Sequence, residues 1–392
     1  MFDDLIQFVR DWYGTSDFVP LHAPYFGGTE RAYVNDCIDS TFVSSVGAFV
    51  DRFEADMAAY TGCERAVVVV NGTSALHMSM KLAGVERGDC VITQALTFVA
   101  TCNAISYCGA YPILLDVDRD RMGLSPVALE NWLKTHADRD DDGTCRRRSD
   151  GAAIRACVPM HTFGHPADIE GLVRVCDAWG ITLIEDAAES LGSTVEGRHT
   201  GTFGQFGAQS FNGNKILTTG GGGMILTDAA NGTRAKHLTT TAKTPHAFEY
   251  VHDEVGYNLR MPNINAALGC AQLEQLEAFI ATKRALADAY QAHLKDSDLT
   301  FVTEPDGCRS NYWLNAVICP DRDTRDDLLR VSNDAGMMTR PIWALMSRLP
   351  MFEGAERDDL ENSEWLEARV VNLPSSVTPR LLPERPEQAE VA

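Results

Sequence analysis

Residues 66–84 read AVVVVNGTSALHMSMKLAG: an unbroken apolar run rich in Val, then Asn71-Gly72-Thr73-Ser74, then apolar positions at helical spacing. An uninterrupted run of this length predicts a strand buried on both faces, and the hydroxyl-bearing junction predicts the start of a helix behind it. The same grammar repeats along the chain. CVIT (90–93) precedes FVATCNAISYCG (98–109), YPILLDV (111–117) precedes PVALENWL (126–133), ACVPM (156–160) precedes DIEGLVRVCDAWG (168–180), and ITLIED follows at 181–186. Alternating strands and helices predict an α/β fold, a large mostly parallel sheet with helices on both faces. Two further strand candidates, AQSF (208–211) and GMILTD (223–228), bracket NGNKILTTGGG and extend the sheet across it.

After about residue 250 the pattern changes to a long helical stretch (264–294), the strand-like NYWLNAVIC (311–319) and another helix from Arg325. The expected organisation is a helical N-terminal extension (1–19), a large α/β domain (20–250), a smaller α+β domain (251–378) and a loose Pro- and Glu-rich tail (379–392). The charged stretch 137–151, ADRDDDGTCRRRSDG, reads as a solvated loop.

With 34 Lys and Arg against 55 Asp and Glu the chain carries a formal charge of −21, which argues against nucleic-acid and anionic-membrane binding. Any phosphate it takes must be held locally. Eleven Cys without a C-x-x-C pair indicate neither a zinc ribbon nor a disulfide framework, and no metal site is expected. The acidic first residues, MFDDLIQFVRDWYG, do not resemble a signal peptide, and no apolar run reaches membrane-spanning length; a cytoplasmic location is expected.

The common nucleotide, zinc and serine-hydrolase motifs are absent, and Gly201, Gly204 and Gly207 have the wrong spacing for a dinucleotide loop. Three features remain. Asn71–Ser74 opens a helix directly after a strand, where free N–H groups and the helix dipole suit a phosphate; the same residues would equally serve as an ordinary cap. Glu185-Asp186 ends an apolar strand, where open sheets bind ligands, and a carboxylate there could keep a heterocyclic nitrogen protonated or simply cap the next helix. Lys215 sits on a glycine-flanked turn between two strand candidates, where a depressed pKa would make it a nucleophilic amine. A hydroxyl-rich helix start, a strand-end acid and a turn lysine are together what pyridoxal phosphate (PLP) requires.

The chain resembles the DegT/DnrJ/StrS sugar aminotransferases over nearly its whole length. The resemblance is carried by PLHAPYFGGTERAYVNDCIDSTFVSSVG (20–47), FEADMAAYTG (53–62), NGTSAL (71–76), TFVATCNAI (97–105), MHTFGHPADI (160–169), IEDAAESLGS (184–193), SFNGNKILTTGGGGMILTD (210–228) and GYNLRMPNINAALGCAQLEQL (256–276). It implies the type I fold of the PLP-dependent transferases, aspartate aminotransferase-like. It implies Lys215 as the Schiff-base lysine and proton shuttle, Asp186 on the pyridine nitrogen, and Gly72, Thr73, Ser74 and Ser210 around the phosphate. Phe98 would stack on the ring and Glu189 would bond its phenolic oxygen. Asn258 would reach the cofactor of a second subunit, so the resemblance implies a homodimer with shared sites.

His161, Arg260, Tyr312, Trp313, Arg340 and Trp343 are the candidate substrate-pocket residues, the planar and cationic ones because such groups suit a sugar diphosphate; a satisfied core histidine is the other reading of His161, and core packing is an equal reading of the aromatics. Cousins that act as 4-keto-sugar dehydratases carry His where this chain has Lys215. Many relatives read TTGEGG where this chain reads TTGGGG (218–223). Within the family the N-terminal extension, STFVSSVGAFVDRFE (40–54) and the four glycines resemble the LegC-type branch. That likeness implies glutamate-dependent transamination at the 4-keto carbon of a nucleotide-linked 2-acetamido-2,6-dideoxyhexose, toward legionaminic acid or a related surface amino sugar of bacillosamine or perosamine type. The alternatives are a PLP-dependent dehydratase, a cyclitol aminotransferase, or a non-catalytic regulatory protein on the same scaffold.

Overall fold

The structure, a computed structural model, describes residues 2–383; the expected tail lies outside the described residues from 384 onward. Seven strands form the body of the large sheet: β1 Arg65–Val69, β2 Cys90–Gln94, β3 Tyr111–Leu115, β4 Ile154–Val158, β5 Thr182–Asp186, β6 Phe206–Ser210 and β7 Gly223–Thr227. Their order across the sheet is β1-β7-β6-β5-β4-β2-β3, with a two-residue strand, Glu356–Arg357, added beyond β3. The pairings from β6 through β3 are parallel, whereas β7 runs antiparallel to both β1 and β6. The segment 211–222 between β6 and β7 holds no crossover helix, and the chain turns back beside β6 in the antiparallel sense.

The helices that follow strands start where the sequence supplies a cap. Asn71 Oδ1 accepts the Ser74 N–H at 2.8 Å, Asp168 Oδ1 the Gly171 N–H at 3.0 Å, and Asp228 Oδ1 the Asn231 N–H at 2.8 Å. They cover both faces of the sheet, so β2 is buried at every position and its apolar side chains join two separate core clusters, one on each face.

A four-stranded antiparallel sheet, Thr300–Phe301, Asn315–Ile318, Val370–Leu373 and Arg340–Pro341, forms the C-terminal unit. The helical stretch after 260 is two helices, Asn263–Leu273 and Leu276–His293. Leu5, Ile6 and Val9 of the N-terminal helix Asp3–Tyr13 pack with Leu286, Tyr290, Val371 and Leu373, so that helix is part of the C-terminal core. The charged stretch read as a loop is instead a hairpin, Ala137–Arg139 with Cys145–Arg147, in which Arg146, Arg147 and Arg148 pair with Asp140, Asp150 and Asp138. Complementary charges across two short strands hold what the charge density alone suggested would stay open. Among the described residues no helix is long and apolar enough to cross a membrane.

Candidate active site

β5 delivers two acids to one edge of the sheet, and strand alternation sends them to opposite faces. Asp186, 2% exposed, accepts a hydrogen bond from Thr101 Oγ1 at 2.7 Å and one from the Ala188 N–H at 3.3 Å. Burial pushes its carboxyl up; the Thr101 hydroxyl, the Ala188 N–H and the positive charge of Lys215 pull it back, leaving it above the usual range. Glu185 turns the other way. Its oxygens accept the N–H groups of Gly201 (2.7 Å), Phe203 (2.6 Å) and Gly204 (2.7 Å) and a bond from His161 Nε2 (2.9 Å). Burial opposes its charge, but the bonds from His161 and the backbone win and hold the carboxyl below the usual range.

The Gly201, Gly204, Gly207 triplet is thereby explained as packing. A Cβ on Gly207 would lie 2.0 Å from the Gly201 carbonyl oxygen, and one on Gly204 2.5 Å from that of Leu183.

Lys215 follows β6 on a turn closed by its own N–H to Asn212 O at 3.0 Å. Its side chain is 12% exposed, and Nζ lies 3.0 Å from Glu189 Oε1 and 3.9 Å from the Trp313 ring centroid. Carboxylate and ring face both attract an ammonium. The other Glu189 oxygen accepts the N–H of Phe163 at 2.9 Å, presented by a left-handed backbone at Phe163 (φ 57°). Burial pushes the Glu189 carboxyl up, against the charge and hydrogen bond of Lys215.

The third component lies where β1, β6 and β7 meet. A Cβ on Gly72 would sit 2.7 Å from Ser210 Cβ, and one on Gly223 would sit 2.4 Å from the Asn71 carbonyl. Only glycine lets these backbones approach, and the approach sets Ser210 beside the N-terminus of the helix Gly72–Leu82. The hydroxyls of Thr73, Ser74 and Ser210 make no hydrogen bond among the described residues, and they stand at the positive end of that helix. Of the four glycines, Gly220 has φ 77° and Gly222 and Gly223 are closely packed, whereas a Cβ on Gly221 meets nothing within 4 Å. A larger residue such as Glu therefore fits at 221.

Phe98, 47% exposed, stands at the start of the helix Val99–Tyr107 that carries Thr101, so its ring and the donor to Asp186 share one helix start. Its ring lies 6.3 Å from Trp343, which in turn lies 5.1 Å from Phe163. Asn258 and Arg260 sit on an exposed segment and bond each other, Arg260 Nε to Asn258 Oδ1 at 3.0 Å; no hydrogen bond among the described residues joins them to Lys215 or Asp186.

Three pocket candidates are placed elsewhere. His161 is fully buried: Nδ1 accepts the Ala167 N–H at 3.1 Å, leaving Nε2–H for Glu185, so the ring is a structural tie with no free nitrogen for a substrate. Tyr312 is 6% exposed, its ring against His165 and its hydroxyl accepting the Glu304 N–H at 3.0 Å. Arg340 lies on an exposed edge strand and bonds Thr339 O at 3.1 Å and Asn333 Oδ1 at 3.3 Å. Trp313, 4% exposed, sets its ring face against Lys215 Nζ. Thr101 was missed; its signal was its place one turn after Phe98 in a helix that starts at the ligand end of the sheet.

A cavity of about 700 Å³ opens at the opposite end of the sheet, near Tyr60, Glu277, Arg309 and Gln205. Its Arg309 is paired with Glu277 and its Tyr60 hydroxyl bonds Glu277 at 2.6 Å, so nothing there calls for a reactant. The chemistry-bearing groups converge at the other end.

The chain is 36% identical over 361 residues to GDP-perosamine synthase of Escherichia coli O157:H7, covering 91% of this chain and 93% of that one. It is 35% identical to a protein of Bacillus subtilis (strain 168) whose name, EpsN, is given as a putative pyridoxal phosphate-dependent aminotransferase, covering 91% and 90%. The crystal structure of the aminotransferase TlmJ from Streptoalloteichus hindustanus superimposes with a TM-score of 0.83 at 28% identity, covering 91% of this chain and 93% of that one. The family model for DegT/DnrJ/EryC1/StrS aminotransferases matches residues 24–387. The chain therefore belongs to the DegT/DnrJ/EryC1/StrS aminotransferase family, a family of pyridoxal phosphate-dependent sugar aminotransferases.

Proposed function

We propose that the protein transfers an amino group, from glutamate, to the 4-keto carbon of a nucleotide-linked 4-keto-6-deoxyhexose, with Lys215 and Asp186 as its catalytic residues. The observation that carries this reading is the convergence of a turn lysine, two buried acids and an unengaged hydroxyl cluster at one end of one sheet.

The residues fit the cofactor. Asp186 is a buried acid with no ion-pair partner among the described residues, so a protonated ring nitrogen would supply the direct cationic partner that its burial lacks. The three free hydroxyls and the helix N-terminus would hold a phosphate on a chain that is otherwise strongly acidic. Phe98 offers an exposed ring face at the start of the helix that bears Thr101. When bound, pyridoxal phosphate supplies an aldehyde for covalent attachment and an electron-withdrawing ring.

The protein's own part is then positional and acid–base. Thr101 fixes the carboxylate of Asp186, which would hold the ring nitrogen. Glu189, anchored by the Phe163 N–H, holds the Lys215 amine and would be placed to bond a ring oxygen of the cofactor. The Lys215 amine would hold the aldehyde group and could serve as the base that moves a proton at the site. A lysine at this position favours amino transfer over the dehydratase alternative, which uses His.

The relatives named for GDP-perosamine synthesis favour a GDP-linked sugar, and the N-terminal likeness to the LegC-type branch favours a UDP-linked acetamido sugar. A panel of GDP- and UDP-linked 4-keto-6-deoxy sugars, assayed for glutamate-dependent amine formation, tests the reading. Amination of at least one is expected; no amination of any, with dehydration or no reaction instead, would overturn it.

The shared site is proposed as well: Asn258 reaches the cofactor phosphate of a second copy. Large apolar side chains exposed on two segments, Phe42 and Val46 on one and Phe248, Tyr250 and Val255 on the other, offer surface for a copy-to-copy contact.

A further inference from the structure

Lys215 is gripped from behind by a side chain of the C-terminal unit. The Trp313 indole N–H donates to Asn214 O at 2.7 Å, and its ring face meets Lys215 Nζ at 3.9 Å, so one residue holds both the turn and the amine it carries. Trp313 is itself fixed on three sides. Its N–H donates to Asn311 Oδ1 at 2.8 Å, and the amide of that Asn311 donates to Glu189 O and Leu191 O, each at 2.9 Å. Its carbonyl accepts a bond from the fully buried Lys283 at 3.1 Å. Between Asn311 and Trp313, Tyr312 adopts a left-handed backbone (φ 49°), which turns both neighbours' side chains toward the site.

The contacts close a ring, from Glu189 backbone through Asn311 and Trp313 to Lys215 and back to the Glu189 carboxylate at 3.0 Å. Other ionisable groups facing this corner are Asp186 from β5 and His22 from the N-terminal segment; both His22 nitrogens are buried without a well-formed hydrogen bond among the described residues, with Lys283, Lys215 and the Asn214 carbonyl around them.

We propose that Trp313 is a positioning residue for Lys215, holding the amine on the line between Glu189 and the ring site and tying that line to the C-terminal unit. The proposal rests on Lys215 being the reactive lysine. Trp313 would then act through Lys215 and make no contact with the sugar.

The test uses cofactor-free protein, reductively methylated with formaldehyde and cyanoborohydride, with the rate at Lys215 read by peptide mass spectrometry against the exposed Lys134 and Lys295. Trp313→Leu, which removes ring face and N–H, is expected to raise the relative rate at Lys215 about fivefold, the equivalent of one exposed cation–π contact. In the cofactor-loaded variant kcat should fall about tenfold while KM for the sugar stays within about twofold. Trp313→Phe, which keeps a ring, should lie between variant and wild type in both measurements, and it decides alone if the leucine variant does not fold. A wild-type methylation rate in both variants would overturn the proposal, as would a raised KM with unchanged kcat, which would mark Trp313 as a substrate contact. If wild-type Lys215 never attaches PLP, the functional reading falls and this proposal with it; if it attaches PLP but ignores Trp313, only the proposal falls.

Discussion

Thr101 makes one hydrogen bond that matters to the chemistry, and its hydroxyl is the strongest donor Asp186 has. Thr101→Val keeps the shape and leaves a buried carboxylate one donor short, which costs about 1–3 kcal/mol. The expected result is a kcat lowered about tenfold or more with the fold intact, checked by kinetics beside a thermal melt; unchanged kcat would show that the Thr101 bond does not support Asp186. Asp186→Ala should lower kcat by a factor of about 100 or more, the scale seen when a preorganised electrostatic partner is removed.

Away from the site, His199 sets a pH limit. Its Nε2 accepts the Gly192 N–H at 2.7 Å, and burial lowers its pKa to about 4. An unfolded imidazole titrates near 6.5, so between pH 6.5 and about 4 the unfolded chain binds the extra proton and stability falls as pH drops. The full loss is about 3 kcal/mol for this group. His165, likewise lowered to about 4 by burial, adds a second contribution of the same sign. His199→Gln should therefore flatten the decline of Tm between pH 7 and 5 relative to wild type; an equally steep decline would assign the acid sensitivity to other groups.

At the level of elements, the site is the meeting of β5, β6, β7 and the helix start after β1, and glycines set how closely they meet. Gly223→Ala would drive a Cβ to 2.4 Å from the Asn71 carbonyl, and overpacking of this kind costs about 1–3 kcal/mol; it should also weaken PLP binding by parting β7 from the phosphate corner. Gly221→Ala meets open space and should change stability by less than about 0.5 kcal/mol. Paired denaturation curves check both, and equal effects would show that the close approach is not what the glycine run provides.

Much of this was legible in the sequence because it is local: strand, cap and turn at 66–74, 181–186 and 210–223 each write their own structure within a dozen residues. The place of Thr101 one turn after Phe98 was a local signal, but its bond to Asp186, 85 residues away, was not legible, and neither was the hold of Trp313 on Asn214, across 99 residues. Tyr312 and Arg340 were expected in the pocket from residue type alone, and type does not say which way a strand edge or a left-handed residue turns its side chain.

For the whole molecule, the proposed dimer makes a prediction no single chain can satisfy. Lys215→Ala and Asn258→Ala are each expected to be nearly inactive. If Asn258 serves the second subunit, dissociating and remixing the two variants yields mixed dimers with one intact site, so activity should recover to about a quarter of wild type. Absence of recovery would place Asn258 in its own subunit's site.

The account as a whole turns on Lys215, and its most direct test is chemical: incubate the protein with pyridoxal phosphate, reduce with borohydride, digest, and weigh the peptides. The account predicts a single phosphopyridoxyl group, on the peptide that contains Lys215, absent in Lys215→Ala. Label on another lysine, or undiminished label in the alanine variant, would contradict it.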